Sequence, residues 1–127
     1  PMHDVTTSNN DVIIDTAYII PCHIDNQLCY ALRDTGCSLS LLSSKFVHEN
    51  NYTGKNTHIR GAFGAWKLIN LAKVNFRPPQ CIYDGDFEII VSVIEDAEMA
   101  CNQYQFLLGN DIFRQNSYRN AATARSL

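Results

Sequence analysis

Asp34, Thr35 and Gly36 form the stretch of this sequence whose residue types are best suited to catalysis. They lie within an apolar run, ALRDTGCSLSLL, at residues 31–42. Burying a lone carboxylate costs on the order of several kcal/mol unless it is protonated or paired. Two carboxylates held together can hydrolyse a peptide bond, because one activates water as a general base and the other donates a proton as a general acid.

An ordinary turn would also explain the triplet. Turns use Asp and Gly freely, so D-T-G alone is weak evidence of catalysis. In the catalytic interpretation, Thr35 holds the loop through its hydroxyl and Gly36 lets the backbone approach a substrate closely. Cys37 is a further nucleophile candidate, but none of the four histidines has an evident sequence relation to it, which favours a small side chain in a cleft wall.

The composition indicates one globular domain and argues against several functions. Of 127 residues, 46% are hydrophobic and 18% are charged, as in a folded domain. The net charge of -3 and the scattered basic residues disfavour nucleic-acid binding. No apolar run approaches the roughly 18 residues of a membrane span. Five cysteines without CxxC spacing indicate reduced thiols in an intracellular protein, so no metal or cofactor is predicted.

The apolar pattern predicts a mainly β architecture with one or two short helices. Strands are predicted at residues 11–20, 28–32, 39–42, 87–96 and 105–109, with a turn at 25–27. Residues 59–76 fit a hairpin with a thin, mobile tip, because two glycines lie between strand-like flanks. Residues 50–57 read as turn-like. Short helices are predicted after Ser43 or Ser44 and after Asn110, which are good N-caps.

No repeat or internal boundary divides the chain. We predict a flexible N-terminal arm at residues 1–10, a single domain at 11–120 and a C-terminal tail at 121–127. The polar start, PMHDVTTSNN, is unlike a signal peptide.

Three motifs occur in the order of a known family: ALRDTGCSLSLL, then GAFGAW at residues 61–66, then FLLGND at residues 106–111. On these motifs the sequence resembles the retropepsins, the aspartic proteases of retroviruses and LTR retrotransposons, over residues 11–118. The last motif is most similar to the branch of gypsy-type retrotransposons and endogenous retroviruses. The resemblance implies a retropepsin-like acid protease fold, which is a closed β-barrel-like domain with a flap hairpin.

The resemblance also implies a role for each motif residue. Asp34 would be the catalytic aspartate, Thr35 would join the lattice that locks two active-site loops together, and Gly36 would present its carbonyl to substrate. Phe63 would lie at the flap tip, and Gly109 would pack beneath the catalytic loop. Substrate contacts would come from Leu32, Cys37, Ser38, Leu41, Gly61, Ala62, Phe63, Gly64 and Leu107.

The active site implied by this resemblance must be shared between two chains. Two carboxylates are needed, but the chain has one DTG and is too short for a two-lobed enzyme. A twofold axis would bring together Asp34 of two copies in a homodimer. The implied activity is aspartic endopeptidase cleavage of a polypeptide, the Gag-Pol polyprotein of a retroelement, in the cytoplasm or in virus-like particles. The alternatives are a host-encoded protease of this type with a regulatory substrate, and a non-catalytic dimerisation or binding module.

Several features depart from the retroviral pattern, and two of them concern charged residues. Where retroviral enzymes pair an aspartate with an arginine, this chain has Ser38 and Asn110, so a neutral contact, or Asp111 with another partner, is expected instead. Arg33 stands where an apolar residue is common. Because successive side chains of a strand face opposite sides, Arg33 should point away from the cleft and serve the dimer interface or a neighbouring loop.

Overall fold

The computed structural model describes residues 18–60, 66–81, 83–99 and 102–115, and within them the chain is mainly β, as predicted. Seven strands form one sheet in the order β1-β2-β7-β3-β6-β5-β4. The strands are β1 (Ile19–Ile24), β2 (Gln27–Arg33), β3 (Leu41–Ser43), β4 (Tyr52–Arg60), β5 (Trp66–Arg77), β6 (Phe87–Ile94) and β7 (Phe106–Leu108).

The β1–β2 hairpin carries Asp34 to its position in the sheet. Asp25 and Asn26 form its turn with positive φ angles of 48° and 68°, which Asp and Asn tolerate better than most residues. Side chains alternate over the middle of β2, where Cys29 and Ala31 are buried and Tyr30 between them is exposed. A slip of one residue would expose this buried face, so the alternation sets the register. Asp34 follows the last residue of β2 directly.

The strand β4 shows that the turn-like prediction is wrong for residues 52–57, whereas residues 50 and 51 do lie in a turn. A 3-10 turn at Glu49–Asn51 leads into β4, which pairs with β5 as an antiparallel hairpin, as predicted for residues 59–76. The hairpin tip, residues 61–65, lies outside the described residues. Most β4 side chains are exposed because β4 is the last strand of the sheet, so its polar sequence concealed a strand. A bulge near Gly54, whose φ is 83°, interrupts the pairing.

The hydrophobic core lies on one face of the curled sheet. Phe76 is fully buried and meets Phe87 and Phe106 edge-on, with ring centroids 5.7 and 5.6 Å apart. Cys22 and Cys29 lie opposite each other across β1 and β2, and both are buried free thiols. A hydrogen bond with the Cys29 side chain, together with burial, raises the pKa of the Cys22 thiol far above its ordinary value. This thiol therefore stays protonated and acts as a small core residue.

The sheet curls so that β1 also reaches β5, through the pairs His23–Arg77 and Ile24–Phe76. This contact spans only two residue pairs, and β4 stays beyond β5 at the edge of the sheet. The described strands therefore form one curled sheet, and they do not show the closed barrel that the resemblance implied.

Short 3-10 turns stand where helices were predicted. The side chain of Ser43 caps the turn Ser44–Phe46 by accepting a hydrogen bond from the Lys45 N–H. The prediction that Asn110 is a cap is wrong, because Gly109 precedes the turn Asn110–Arg114 and the Asn110 side chain binds elsewhere.

The predicted arm, the start of the first predicted strand and the predicted tail fall in residues 1–17 and 116–127, outside the described part of the chain. In the part that is described, no helix has both the length and the apolar character needed to cross a membrane.

Candidate active site

Asp34 opens a tight loop at the end of β2. Its backbone N–H donates to the carbonyl of Leu108 at 3.2 Å, and its own carbonyl accepts from the Cys37 N–H at 3.1 Å. The Gly36 N–H donates to Oδ1 of the Asp34 carboxylate at 3.0 Å. The Asp34 side chain is half-buried, whereas Thr35 and Gly36 are exposed. The loop therefore holds a partly shielded carboxylate in a defined orientation at the surface of the described chain.

The sheet brings two distant motifs to this point. Strands β2 and β7 are parallel neighbours, and Arg33 lies opposite Leu108 in their register. Because both strands run in the same direction, the chain leaves them side by side, at Asp34 and at Gly109. The DTG motif and the LLGND motif thus meet although 75 residues separate Arg33 from Leu108.

Gly109 packs directly against the loop that Asp34 opens. A Cβ atom on Gly109 would lie 2.8 Å from the carbonyl oxygen of Leu39 and 2.9 Å from that of Cys37, which are closer than real Cβ contacts allow. The next residue continues the contact, because the Asn110 N–H donates to the Cys37 carbonyl at 2.9 Å. Only glycine lets the two segments approach this closely.

Ser40 and Asp111 form a second link beneath the loop. Ser40 is completely buried, and its N–H and Oγ donate to the two carboxylate oxygens of Asp111 at 3.1 and 2.5 Å. The Ser40 Oγ also accepts from the Gly109 N–H at 2.8 Å. Asp111 thus has another partner, one of the two outcomes expected from the departure at Ser38 and Asn110. Sequence reasoning did not single out Ser40, although a serine between two leucines of a buried run was the available signal.

Arg33 lies against a neighbouring loop, one of the two places expected for it. Its guanidinium donates to the Leu108 carbonyl at 3.1 Å and to Oδ1 of Asn110 at 3.0 Å, and it covers the Phe113 ring at 4.8 Å from the centroid. The Asn110 Nδ2 donates in turn to the carbonyl of Thr35 at 2.7 Å. Asn110 therefore makes a neutral contact, with the Thr35 carbonyl, and its amide oxygen accepts from the charged Arg33.

Three leucines predicted to contact substrate lie side by side. The register places Leu32 opposite Leu107, and Leu107 opposite Leu41, on the adjacent strands β2, β7 and β3. Residues opposite each other share a face of the sheet, so the three side chains form one apolar row. Leu41 and Leu107 are half-buried, while Leu32 is 7% exposed.

The structure describes some of the remaining predicted site residues but not the others. Cys37 is half-buried and its thiol donates to the Leu39 carbonyl at 3.1 Å, while Ser38 is exposed. The contact of Thr35 described above uses its carbonyl rather than its hydroxyl. The predicted flap residues Gly61, Ala62, Phe63 and Gly64 lie outside the described residues. The roles assigned to all these residues remain predictions.

The fold can be compared with proteins of known structure and sequence. No protein-family model matches the chain, and no curated protein matches its sequence. The solved structures do contain similar chains, and the mainly β fold described above is consistent with a retropepsin-like fold.

One such chain is the protease of simian foamy virus (mac), known from its solution structure. The two superpose with a TM-score of 0.53 at 16% sequence identity, over 76% of this chain and 91% of the viral protease. At this identity the similarity shows a common fold.

Proposed function

We propose that this chain is an aspartic endopeptidase of the retropepsin type that acts as a homodimer. The observation that carries the proposal is the braced loop of Asp34, which holds a half-buried carboxylate at the end of β2 on a fold shared with a viral protease. Peptide hydrolysis by water needs two such carboxylates, and a twofold axis through the exposed Thr35–Gly36 segment supplies the second.

In this mechanism the two Asp34 carboxylates share one proton, because two close carboxylates do not both ionise. The ionised Asp34 accepts a proton from water as the oxygen attacks the scissile carbonyl, and the protonated one donates to that carbonyl, which gives a tetrahedral diol. The Asp34 that took the water proton then donates it to the amide nitrogen as the C–N bond breaks, while the other Asp34 takes a proton from the diol, so that an amine and a carboxylic acid leave and the pair returns to its starting state. The Gly36 N–H fixes the rotation of each carboxylate through Oδ1. The Leu32–Leu107–Leu41 row binds apolar side chains next to the cut.

The substrate we propose is the Gag-Pol polyprotein of a gypsy-type retrotransposon or an endogenous retrovirus, cut in the cytoplasm or in virus-like particles. This part of the proposal rests on the LLGND resemblance. A host-encoded protease with a regulatory substrate uses the same chemistry, and the neighbouring coding sequence distinguishes the two, because a retroelement carries a reverse transcriptase. A non-catalytic dimerisation module is the alternative from another class, and only an activity measurement separates it from an enzyme.

Asp34→Asn is the decisive variant. We expect it to reduce cleavage of a polyprotein substrate to background while the fold persists, because an amide cannot accept the proton from water. Asp84→Asn is the matched control, since it removes an exposed carboxylate outside the loop and should leave the rate unchanged. Cleavage by Asp34→Asn at the wild-type rate would refute the assignment.

A mixing experiment tests the shared active site. If wild-type and Asp34→Asn chains are mixed in equal amounts and exchange freely, about one quarter of the dimers carry two aspartates, so the rate should fall to about one quarter of that of an all-wild-type sample. A fall to only one half would show that each chain works alone. Sedimentation measures the dimer directly, and a statine-type transition-state mimic should bind the dimer tightly.

A further inference from the structure

Arg33 occupies a position where a charged side chain needs a specific reason to be present. It is half-buried on the sheet face opposite Leu32, where its register partner Leu108 is completely buried. Its two hydrogen-bond acceptors in the described residues, the Leu108 carbonyl and the Asn110 amide, are both neutral. The planar guanidinium spans both acceptors at once, which an apolar side chain or a single ammonium cannot do.

The contact with Arg33 decides which way the Asn110 amide points. A guanidinium only donates hydrogen bonds, so it must meet the amide oxygen of Asn110. The amide nitrogen is then directed at the Thr35 carbonyl, which only accepts, at 2.7 Å. If the amide were reversed, both contacts would become repulsive. Arg33 therefore selects the orientation in which Asn110 binds the catalytic triplet.

The Thr35 carbonyl belongs to the peptide unit that also contains the Gly36 N–H. This peptide is held at both ends, since Asn110 binds its oxygen and Oδ1 of Asp34 accepts from its nitrogen at 3.0 Å. Peptide units are planar, so fixing the carbonyl direction also fixes the N–H direction. A continuous series of hydrogen bonds thus runs from Arg33 through Asn110 and the Thr35–Gly36 peptide to the Asp34 carboxylate.

We propose that Arg33 and Asn110 are positioning residues, which orient the Thr35–Gly36 peptide so that its N–H holds the Asp34 carboxylate for catalysis. This inference rests on the proposed function for its effect on rate, but the effect on the peptide itself does not depend on catalysis. The positioning role also explains why residue 110 has an amide side chain. An aspartate there would pair with Arg33 but would have no proton to give to the Thr35 carbonyl.

Asn110→Asp separates this role from a merely structural one. The new carboxylate gains a charge-assisted hydrogen bond with Arg33, which offsets the lost bond to Thr35, so the unfolding temperature should stay close to the wild-type value. The kcat should fall about 10- to 100-fold while KM changes little, because the defect lies at the reacting carboxylate. A kcat equal to that of the wild type would overturn the proposal.

Arg33 is tested in two backgrounds. Arg33→Leu alone should lower kcat about 10-fold, and Arg33→Lys should recover only part of that loss. In an Asn110→Leu background, Arg33→Leu should lower kcat little further, because no amide remains to be oriented. Equal losses in both backgrounds would show that Arg33 acts independently and would overturn its assigned role. Arg77→Leu, which removes an exposed arginine paired with Asp86, is the matched control.

Hydrogen exchange at the Gly36 amide tests the positioning without any substrate. We expect this amide to exchange about 10-fold faster in Asn110→Asp than in the wild type, because its peptide loses one of its two anchors. An unchanged Gly36 exchange rate would overturn the inference even in an active enzyme. If the wild type cleaves no peptide, the proposed function fails, but the Gly36 measurement still decides whether Arg33 and Asn110 position this peptide.

Discussion

The loop around Asp34 and the β4–β5 hairpin are held in place by very different interactions. Beneath the loop, the completely buried Ser40 makes three hydrogen bonds to Asp111 and Gly109. At the distal end of the hairpin, the described contacts are made by exposed side chains. Lys67 pairs there with Glu98, and the Arg60 guanidinium lies 5.4 Å from the Trp66 ring centroid.

This difference indicates how local stability is distributed over the molecule. Buried, mutually satisfied hydrogen bonds resist local opening, whereas exposed ion pairs contribute little and are screened by salt. The segment around Ser40 should therefore open only when the whole domain unfolds, and the far end of the hairpin should open more easily. In the proposed enzyme, the chemistry lies on the part that resists opening, and substrate enters past the part that opens.

The largest loss of stability is expected when a side chain is added between the Asp34 loop and the LLGND segment. Gly109→Ala places a Cβ 2.8–2.9 Å from two backbone oxygens, so we expect it to lower the free energy of unfolding by about 3 kcal/mol or more. Chemical denaturation measures this loss. Gly36→Ala is the matched control, because its Cβ would come no closer than 3.4 Å to the Asp34 carboxylate. Equal stability of the two variants would contradict the close packing at Gly109.

A smaller loss is expected from Ser40→Ala. It leaves the Gly109 N–H without its acceptor inside the core and removes one donor from Asp111, at a cost of about 2 kcal/mol. Denaturation of Ser38→Ala, which alters an exposed serine in the same loop, should show almost no change. If Ser40→Ala were as stable as Ser38→Ala, the bonds beneath the loop would not be what makes it rigid.

The smallest loss of stability is expected from a substitution in the β4–β5 hairpin. Lys67→Met removes an ion pair whose side chains are 49% and 40% exposed, so the free energy of unfolding should fall by less than about 1 kcal/mol. Repeating the denaturation at high salt should abolish the difference, because salt screens exposed charges. A loss that matches that of Ser40→Ala and persists in salt would remove the contrast between the two regions.

Much of the fold followed from the sequence because local signals agreed with the final structure. The Asp25–Asn26 turn, the placement of Asp34 at a strand end and the buried β7 strand before Gly109 were all predictable from local patterns. The edge strand β4 was missed because its residues are exposed and polar, so that its pairing with β5, rather than its own composition, makes it a strand.

The interactions that brace the candidate site were not predictable in the same way. Asn110 looks like a helix cap, but its side chain is used by Arg33 and Thr35, which reach it only because β2 and β7 are parallel neighbours. The burial of Ser40 likewise depends on Asp111, 71 residues further along the chain. Such partners follow from the register of distant strands, which composition and periodicity do not reveal.

The Leu32–Leu107–Leu41 row has a consequence for how this protein can evolve. Each leucine of the row has a fully buried neighbour on the other face of its own strand, namely Ala31, Phe106 and Leu42. Substitutions in the row can therefore alter one surface while the core residues beside them stay the same. If the proposed function holds, a lineage of such enzymes could exchange one preferred substrate for another through changes at these three positions, without having to evolve a new fold.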